Sequence, residues 1–245
     1  MFDAEIEAGV LTHTLEPLEV VTDEIILDLN DGCVTASAAD EAQVLMVEVE
    51  LLPAAFRDYE SDGGQIGLGL DKILTILEMS SESSLVNLHL NEEERRVYME
   101  VDGQASGLSL VDLEYISTGP NPPDWELPAK IVIEQSEFRK AIRAANAFGD
   151  HLRFNIDKEK EVAEMEARGD SDHTKRMLKE TDVVDIEYAT IDSKFSLKWL
   201  DKISSVIPKD TEVTIEMAHD RPAKISYEIG EGKVEFQLSP RIENN

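Results

Sequence analysis

The segment EQSEFRKAI, residues 134–142, repeats the pattern of an earlier segment, EAGVLTHTL, residues 7–15, at a distance of 127 positions. A glutamate opens each segment, and a large apolar residue stands at its fifth and ninth positions. Apolar residues four apart lie on one face of a helix, so both segments are predicted to be amphipathic helices.

A second pair of helical patterns has the same offset of 127 positions. Two matches at one offset predict that the chain is one domain written twice. The matching positions are Leu70, Ile73 and Ile76 in the first half and Leu197, Leu200 and Ile203 in the second.

Most of the remaining chain alternates apolar and polar residues with the period of two that is typical of half-buried strands. Residues 213–217, 225–229 and 234–238 predict three consecutive strands, and residues 163–167 predict another, with Glu164, Glu166 and Arg168 facing out. Glycine-containing pairs such as Asp102-Gly103 predict tight turns between strands. Many hairpins and four short helices indicate an α+β fold in which helices cover one face of a sheet. Pro17 lies inside the first helical pattern and is expected to kink or shorten that helix.

A proline-rich stretch separates the two halves. Four prolines lie within residues 120–128, and prolines at this density interrupt both helix and sheet. We therefore predict an N-terminal domain at 1–111, an extended linker at 112–128 and a C-terminal domain at 129–245.

The charge of the chain is unusual, because 52 acidic residues against 23 basic ones give a formal net charge of −29. The acids are spread over every segment, which is typical of surfaces adapted to concentrated salt, although an acidic protein from an ordinary medium is the alternative. By itself this charge argues against nucleic acid as a partner, since phosphates repel a negative surface. A single cysteine, Cys33, and an N-terminus without a signal-peptide pattern favour a cytoplasmic protein, and no apolar run is long enough to cross a membrane.

Three segments of the chain carry the motifs of one protein family. The C-terminal LSPRIE at 238–243 is close to an ending of Leu-Ala-Pro-Lys/Arg-Ile-Glu. AADEAQVLMV at 38–47 resembles Ala-Val-Asp-Pro-Ala-Asn-Val-Ala-Met-Val, and FSLKWL at 195–200 resembles Phe-Ser-Leu-x-Tyr-Leu. With these three motifs in this order along the whole chain, the sequence resembles the proliferating cell nuclear antigen (PCNA) family in its archaeal form.

The resemblance implies a DNA clamp fold and a sliding clamp, without enzymatic activity, cofactor or metal. Three subunits would form a homotrimeric ring around double-stranded DNA, with sheets outside and four helices lining the channel. The ring would hold DNA polymerase, the clamp loader, flap endonuclease and DNA ligase through short interaction peptides, in replication and repair.

The resemblance also implies three sets of functional residues. The DNA-binding set is Lys72, Arg139, Lys140, Arg143, Lys198 and Lys202. The groove for partner peptides, between the linker and the C-terminal segment, comprises Val44, Leu45, Met46, Pro122, Pro123, Ser239, Pro240, Arg241 and Ile242. The subunit interface comprises Gln104, Leu108 and Leu110 on one strand and Lys175, Arg176 and Leu178 on another, whose bases are expected to meet acids such as Glu100 or Asp102 of the neighbour.

The charges of the predicted helices differ between the halves. In the second half the basic residues outnumber the acidic ones, which favours contact with phosphates, whereas the alternative is a solvated face with a chance excess of bases. The first half offers Thr12, His13, Glu16 and Glu19 where relatives often place lysines. This departure keeps open a specialised clamp, for instance a virus-encoded one with altered partners.

The signals for an enzyme are weak. The glycine-rich segment at 64–69 lacks the spacing of a phosphate-binding loop and is interpreted as a turn and a strand with no strand before it. Residues 170–173, Asp-Ser-Asp-His, contain metal-ligand types but follow Gly169, which predicts a hairpin tip. An acidic metal-dependent hydrolase stays a remote alternative.

Overall fold

The computed structural model of the chain describes residues 1–30, 32–119, 123, 125–179 and 181–242. Within those residues the first half contains β1 (Phe2–Glu7), α1 (Ala8–Glu19), β2 (Glu24–Leu29), β3 (Val34–Ala39), β4 (Leu45–Leu51), β5 (Phe56–Ser61), β6 (Gln65–Gly69), α2 (Leu70–Glu78), β7 (Leu85–Asn91), β8 (Arg96–Val101) and β9 (Gln104–Ser109). Short 3₁₀ turns lie at Pro53–Ala55 and Leu113–Tyr115.

The described part of the second half contains the same types of element in the same order. They are β10 (Ala129–Glu134), α3 (Gln135–Asn146), β11 (His151–Asp157), β12 (Val162–Arg168), β13 (His173–Leu178), β14 (Asp185–Glu187), β15 (Ile191–Ser196), α4 (Leu197–Val206), β16 (Glu212–Met217), β17 (Ala223–Glu228) and β18 (Gly232–Leu238). The predicted α+β class and the predicted duplication are therefore confirmed.

The strand order repeats as well. Strands of the first half are ordered β5-β1-β7-β8-β9 and β4-β3-β2-β6, and strands of the second half β14-β10-β16-β17-β18 and β13-β12-β11-β15. The chain divides into two compact units, one formed by Met1–Pro120 with Glu228–Val234 and the other by Asn121–Tyr227 with Glu235–Asn245. No helix among the described residues is long and apolar enough to span a membrane.

The four predicted helices form because each buries one apolar face. In α3 the face consists of Phe138, Ile142 and Ala145, of which the first two are completely buried. Pro17 lies in the last turn of α1, which nevertheless has twelve residues, as α3 does. The expected shortening does not occur, because α1 continues to Glu19 although Pro17 has no backbone donor.

The outward face of β12 is less exposed than predicted. Glu166 is only 9% exposed and Glu164 is half-buried, whereas Arg168 is exposed as expected. Arg168 Nη2 lies 2.8 Å from its carboxylate, and Arg153 Nη1 lies 3.9 Å from it across the β11–β12 ladder. The Arg168 guanidinium holds the pKa of Glu166 below its usual range, so this carboxylate lies on the sheet as the partner of two arginines.

Glycine-containing turns form where the sequence predicts them. Asp102 and Gly103 have φ values of 49° and 78° and join β8 to β9 in a two-residue hairpin, a conformation that favours glycine or aspartate. Gly63 and Gly64 also have positive φ and lead into β6, so the glycine-rich segment is a turn and a strand. The expectation that no strand precedes it is wrong, because β5 ends at Ser61.

Candidate DNA and partner interfaces

The helices α3 and α4 pack side by side and are fastened by polar side chains of α3. The buried Gln135 Nε2 donates to the carbonyl of Ile207 at 3.2 Å. Arg139 Nη1 donates to the carbonyl of Ser204 at 2.7 Å, near the end of α4. Arg139 is half-buried, so the structure gives it a role in joining the two helices.

The other basic side chains of α3 and α4 are exposed. Lys140 and Arg143 lie on the outer side of α3, and Lys140 Nζ is 3.5 Å from Glu137 Oε1. Lys198 and Lys202 lie on α4, where their ammoniums are 5.0 and 5.1 Å from the centre of the Trp199 ring. Asp201 is exposed on the same helix. The pair of helices therefore presents a net positive surface.

The corresponding helices of the first unit present carboxylates instead. Lys72 of α2 is exposed, but it is accompanied by Asp71 and Glu78 on the same helix. Partial burial and then the neighbouring carboxylates of Glu19, Glu78 and Glu82 raise the pKa of Glu16. Carboxylates raise one another's pKa only when they lie close together, so this surface is an acidic cluster.

Two further pKa shifts belong to the same surface. Partial burial and then Asp23, Glu78 and Asp71 raise the pKa of Glu19, and burial lowers the pKa of His13 despite the nearby Glu82. Glu16 and Glu19 could be identified from the sequence as acidic residues of this surface, but Glu78 and Glu82 could not. Glu78 ends α2 and Glu82 follows it, and only the fold reveals that this part of the chain returns toward α1.

The strands β9 and β13 each lie at an edge of the strand order. On β9 the side chain of Gln104 is exposed and that of Leu108 is half-buried. Leu110 follows the strand, and its amide donates to the carbonyl of Arg95 at 3.0 Å. Leu178 of β13 is buried. Edge strands carry unpaired backbone groups, and these can bind a strand of another chain.

The basic residues of β13 have acidic partners within the chain. Arg176 Nη2 donates to Glu137 Oε2 at 2.5 Å and lies 3.8 Å from Asp182, while Lys175 pairs with Glu164. The Arg176 guanidinium lowers the pKa of Glu137. A cavity of about 360 Å³ lies beside Arg176 and is lined by Ala141, Ala144, Met165 and Thr174 among others. Sequence reasoning missed these partners, because Glu137 and Arg176 are 39 positions apart.

The segment before β4 is held by Asp40. Its carboxylate accepts hydrogen bonds from the backbone amides of Val44 and Leu45, both at 2.7 Å. Leu45 is completely buried, so this segment exposes Val44 and Met46 in part but not Leu45. A side chain at Gly119 would approach Ala39 Cβ to 3.0 Å and Met46 Cε to 3.2 Å, so this part of the linker packs closely there.

The described part of the C-terminal segment contains an exposed apolar residue. Ser239 and Pro240 are half-buried, Arg241 is exposed, and Ile242 is 61% exposed. The Arg241 amide donates to the Lys194 carbonyl at 2.7 Å, so β15 holds this segment while Ile242 faces solvent. Of the two linker prolines predicted for the groove, Pro123 is exposed and Pro122 lies outside the described residues.

The residues described give no grouping of three or more His, Cys, Asp or Glu side chains suited to a metal ion. At residues 170–173 the chain forms a turn instead. The Gly169 amide donates to the Asp172 carbonyl at 2.9 Å, which closes the turn between β12 and β13.

Two family models match the chain. The N-terminal domain of proliferating cell nuclear antigen matches residues 1–117, and the C-terminal domain of the same protein matches residues 121–242. A DNA polymerase sliding clamp from Natronomonas pharaonis is 36% identical over 247 residues, and one from Haloarcula marismortui is 36% identical over 246 residues. Both matches cover the whole of each chain.

Solved structures are also similar. PCNA of A. fulgidus, in a structure with the C-terminal region of FEN-1 bound, has a TM-score of 0.93 and 29% identity, with full coverage of both chains. PCNA from Thermococcus kodakaraensis has a TM-score of 0.90 over 98% of this chain and all of that one. Its identity is 21%, so this second likeness is one of fold alone.

Proposed function

Because this chain belongs to the proliferating cell nuclear antigen family and is a DNA polymerase sliding clamp without enzymatic activity, we propose that it encircles duplex DNA through the basic helices of its second unit. The ring is a homotrimer of subunits with domains at 1–111 and 129–245 and a linker at 112–128. It works in the cytoplasm on DNA of any sequence. Its haloarchaeal relatives and its net charge of −29 favour work in concentrated salt.

The observation that carries this proposal is the sign of the charge on α3 and α4. Four bases are exposed on two helices of a chain in which acids outnumber bases more than twofold; they are Lys140, Arg143, Lys198 and Lys202. Exposed bases bind phosphate oxygens without reading the sequence. Arg139 contributes indirectly, since it joins the helices that carry the other four, and Lys72 contributes little beside its acidic neighbours.

Salt decides how such a clamp is retained. Each phosphate contact lowers the logarithm of the affinity by about 0.9 for each tenfold rise in salt. Direct binding to linear DNA is therefore weak at molar salt, where the Debye length is only about 3 Å. A closed ring stays on circular DNA under the same conditions, because its release requires an interface to open.

The test compares a loaded clamp on circular DNA before and after a single cut, at molar salt. We expect retention on the circle and rapid release after the cut. Equal release from both forms would show that the protein does not encircle DNA, and a clamp assembled with a covalently closed interface provides the positive control for retention.

For the subunit interface, we propose that β9 of one copy pairs with β13 of the next. Both are edge strands, and a head-to-tail pairing of two different edges forms a ring when the rotation between successive copies closes. The residues at or near these edges are Gln104, Leu108 and Leu110 on one side and Lys175, Arg176 and Leu178 on the other. The molecular mass in molar salt tests this pairing: three subunits are expected, and a monomer at every concentration would contradict it.

Partner enzymes are proposed to bind by short peptides at Val44, Met46, Pro122, Pro123 and residues 239–242. The support is the accessible apolar surface of Val44, Met46 and Ile242 and the A. fulgidus relative, which has the C-terminal region of FEN-1 bound. DNA polymerase, the clamp loader, flap endonuclease and DNA ligase are the proposed partners. Calorimetry with a peptide of the family's Gln-x-x-aliphatic-x-x-aromatic-aromatic type should show binding that disappears when residues 239–245 are deleted, and an unchanged affinity would refute the assignment.

A further inference from the structure

Trp199 lies between the two exposed lysines of α4. The ammonium of Lys198 is 5.0 Å from the centre of the indole ring and that of Lys202 is 5.1 Å from it. Both positive charges therefore lie against one aromatic ring and are gathered at one place on the helix.

The closeness of the Lys198 and Lys202 ammoniums to one ring needs an explanation, because like charges four positions apart on a helix repel each other. The face of an indole ring carries negative electrostatic potential and attracts an ammonium within about 6 Å of its centre. Trp199 meets this condition for both lysines and so offsets their repulsion. The ring is itself held in place, since it is half-buried and its neighbours Leu197 and Leu200 are buried in the core.

We propose that Lys198, Trp199 and Lys202 form a preorganised clasp for backbone phosphates of duplex DNA, an inference that rests on the proposed function of α4. Each ammonium has three donors, so an ammonium that faces the ring can also donate to a phosphate oxygen. The ring reduces the rotamer freedom that the two long side chains would otherwise lose on binding. Trp199 acts as a positioning residue and the two lysines as the binding residues.

The half-buried ring favours phosphate over base as the ligand. Aromatic residues that bind single strands offer an open ring face on which a base stacks. In this chain the ring is partly covered and both ammoniums lie against it. Asp201 is the acidic residue of the same helix, and its carboxylate limits how strongly the clasp binds an anion.

The first experiment measures the affinity for a short linear duplex as salt is varied at low concentrations. Lys198→Gln with Lys202→Gln should weaken binding and reduce the salt slope by about 0.9 for each phosphate that the protein no longer binds. Trp199→Leu keeps both charges, so the salt slope should stay the same while affinity falls about threefold, because the lysines are no longer preorganised. Trp199→Phe keeps a ring and should restore most of the affinity.

The matched control is Trp125→Leu, which makes the same change at the other tryptophan. Trp125 packs against Arg221, with the guanidinium 4.4 Å from the ring centre, and neither residue belongs to α4. This control should leave the affinity for duplex unchanged. Thermal unfolding of each variant shows whether it folds, and the fluorescence of Trp199 itself, measured in the second experiment, keeps the inference testable where Trp199→Leu does not fold.

The second experiment uses Trp199 as its own reporter. In a Trp125→Phe protein Trp199 is the single tryptophan, and its fluorescence should change on addition of duplex and return when salt is raised. A larger change and tighter binding with a single strand of equal length would overturn the phosphate assignment in favour of base stacking.

The outcomes separate this inference from the proposed function. If Trp199→Leu and Trp199→Phe bind duplex like the unmodified protein while the lysine variants bind weakly, the clasp is refuted and α4 still contacts DNA. If the lysine variants and changes in Lys140 and Arg143 of α3 are all without effect, the basic surface itself does not bind DNA and the proposed function falls.

Discussion

The helix pairs α1–α2 and α3–α4 occupy the same places in the repeated order of elements but carry opposite charge. Within α1 and α2, the acids Glu16, Glu19, Asp71 and Glu78 stand against Lys72, a net charge of −3. Within α3 and α4, five bases stand against two acids, a net charge of +3. The buried faces of both pairs keep the same spacing of large apolar residues.

The difference shows that the two faces of these helices are under separate physical constraints. Their buried residues must fill a densely packed core, and a change of one methylene there is felt by its neighbours. Their exposed residues are limited only by solvent and by whatever ligand they meet. A duplicated domain can therefore keep its fold twice while one copy specialises in contact with a polyanion.

Among the changes that test this difference in charge, reversal of charge on α3 is expected to have the largest effect on the affinity for duplex DNA. Lys140→Glu with Arg143→Glu should weaken binding to linear duplex at low salt by about tenfold or more, because attraction of phosphates is replaced by repulsion. Fluorescence anisotropy with a labelled duplex measures the change. Peptide binding should not change.

A control for net charge is Lys158→Glu with Lys160→Glu, at the exposed turn between β11 and β12. This variant changes the charge of the subunit by the same amount at a site outside α3 and α4. If it weakened duplex binding equally, the overall field of the ring and not the helix pair would be responsible.

The second prediction separates the two functions of basic residues on α3. Arg139→Ala should lower the free energy of unfolding by about 1.5 kcal/mol, since the Ser204 carbonyl is left without its charged donor. Arg143→Ala should leave it within about 0.5 kcal/mol, as is usual for exposed positions. Urea unfolding monitored by circular dichroism measures both, and equal stabilities would show that the Arg139 to Ser204 hydrogen bond is not formed in solution.

Features that depend on residues close together in the sequence could be predicted, whereas features that depend on residues far apart could not. Periodic patterns revealed all four helices, because the buried residues that define them lie within a few positions of one another. Asp102-Gly103 likewise revealed its hairpin, since the turn depends on two adjacent residues. The duplication came from a fixed offset between such local patterns.

Polar partners were not predictable in the same way. Arg139 donates to Ser204, 65 positions away, and Arg176 binds Glu137, 39 positions away, so neither pair leaves a local signal. Glu166 was expected to face solvent, but strand pairing places Arg153 opposite it. Which basic residues bind DNA and which support the fold therefore requires the packed structure.

The third prediction concerns the acidic surface of the first unit. Glu16→Gln, Glu19→Gln and Glu78→Gln together should strengthen binding to linear duplex at low salt by about threefold, because the carboxylates no longer repel phosphates. At molar salt the difference should vanish, since the Debye length falls to about 3 Å. Three exposed turn residues, changed as Glu93→Gln, Glu159→Gln and Glu161→Gln, provide the control. An equal gain in the control would assign the effect to net charge.

The smallest expected effect is on stability and tests the acidic cluster without DNA. The folded-state pKa of Glu16 is raised, so its ionised form destabilises the fold above that pKa, and the penalty disappears as pH falls toward the unfolded value. Glu16→Gln should therefore raise the free energy of unfolding at pH 7, by about 0.3 kcal/mol, as is usual for one like-charge pair on a helix. The gain should shrink as the pH is lowered through the folded pKa toward 4.5, the usual value for a glutamate. Urea unfolding across this pH range measures the gain.

The control is Glu93→Gln, which removes one carboxylate at an exposed turn and is measured over the same pH range. A gain for Glu16→Gln that is constant between neutral and acidic pH would mean that neither partial burial nor the carboxylates of Glu19, Glu78 and Glu82 destabilise its ionised form. The opposite charges of the two helix pairs would then be a difference of composition, and the first unit would repel phosphates only through its average charge and not through a local cluster.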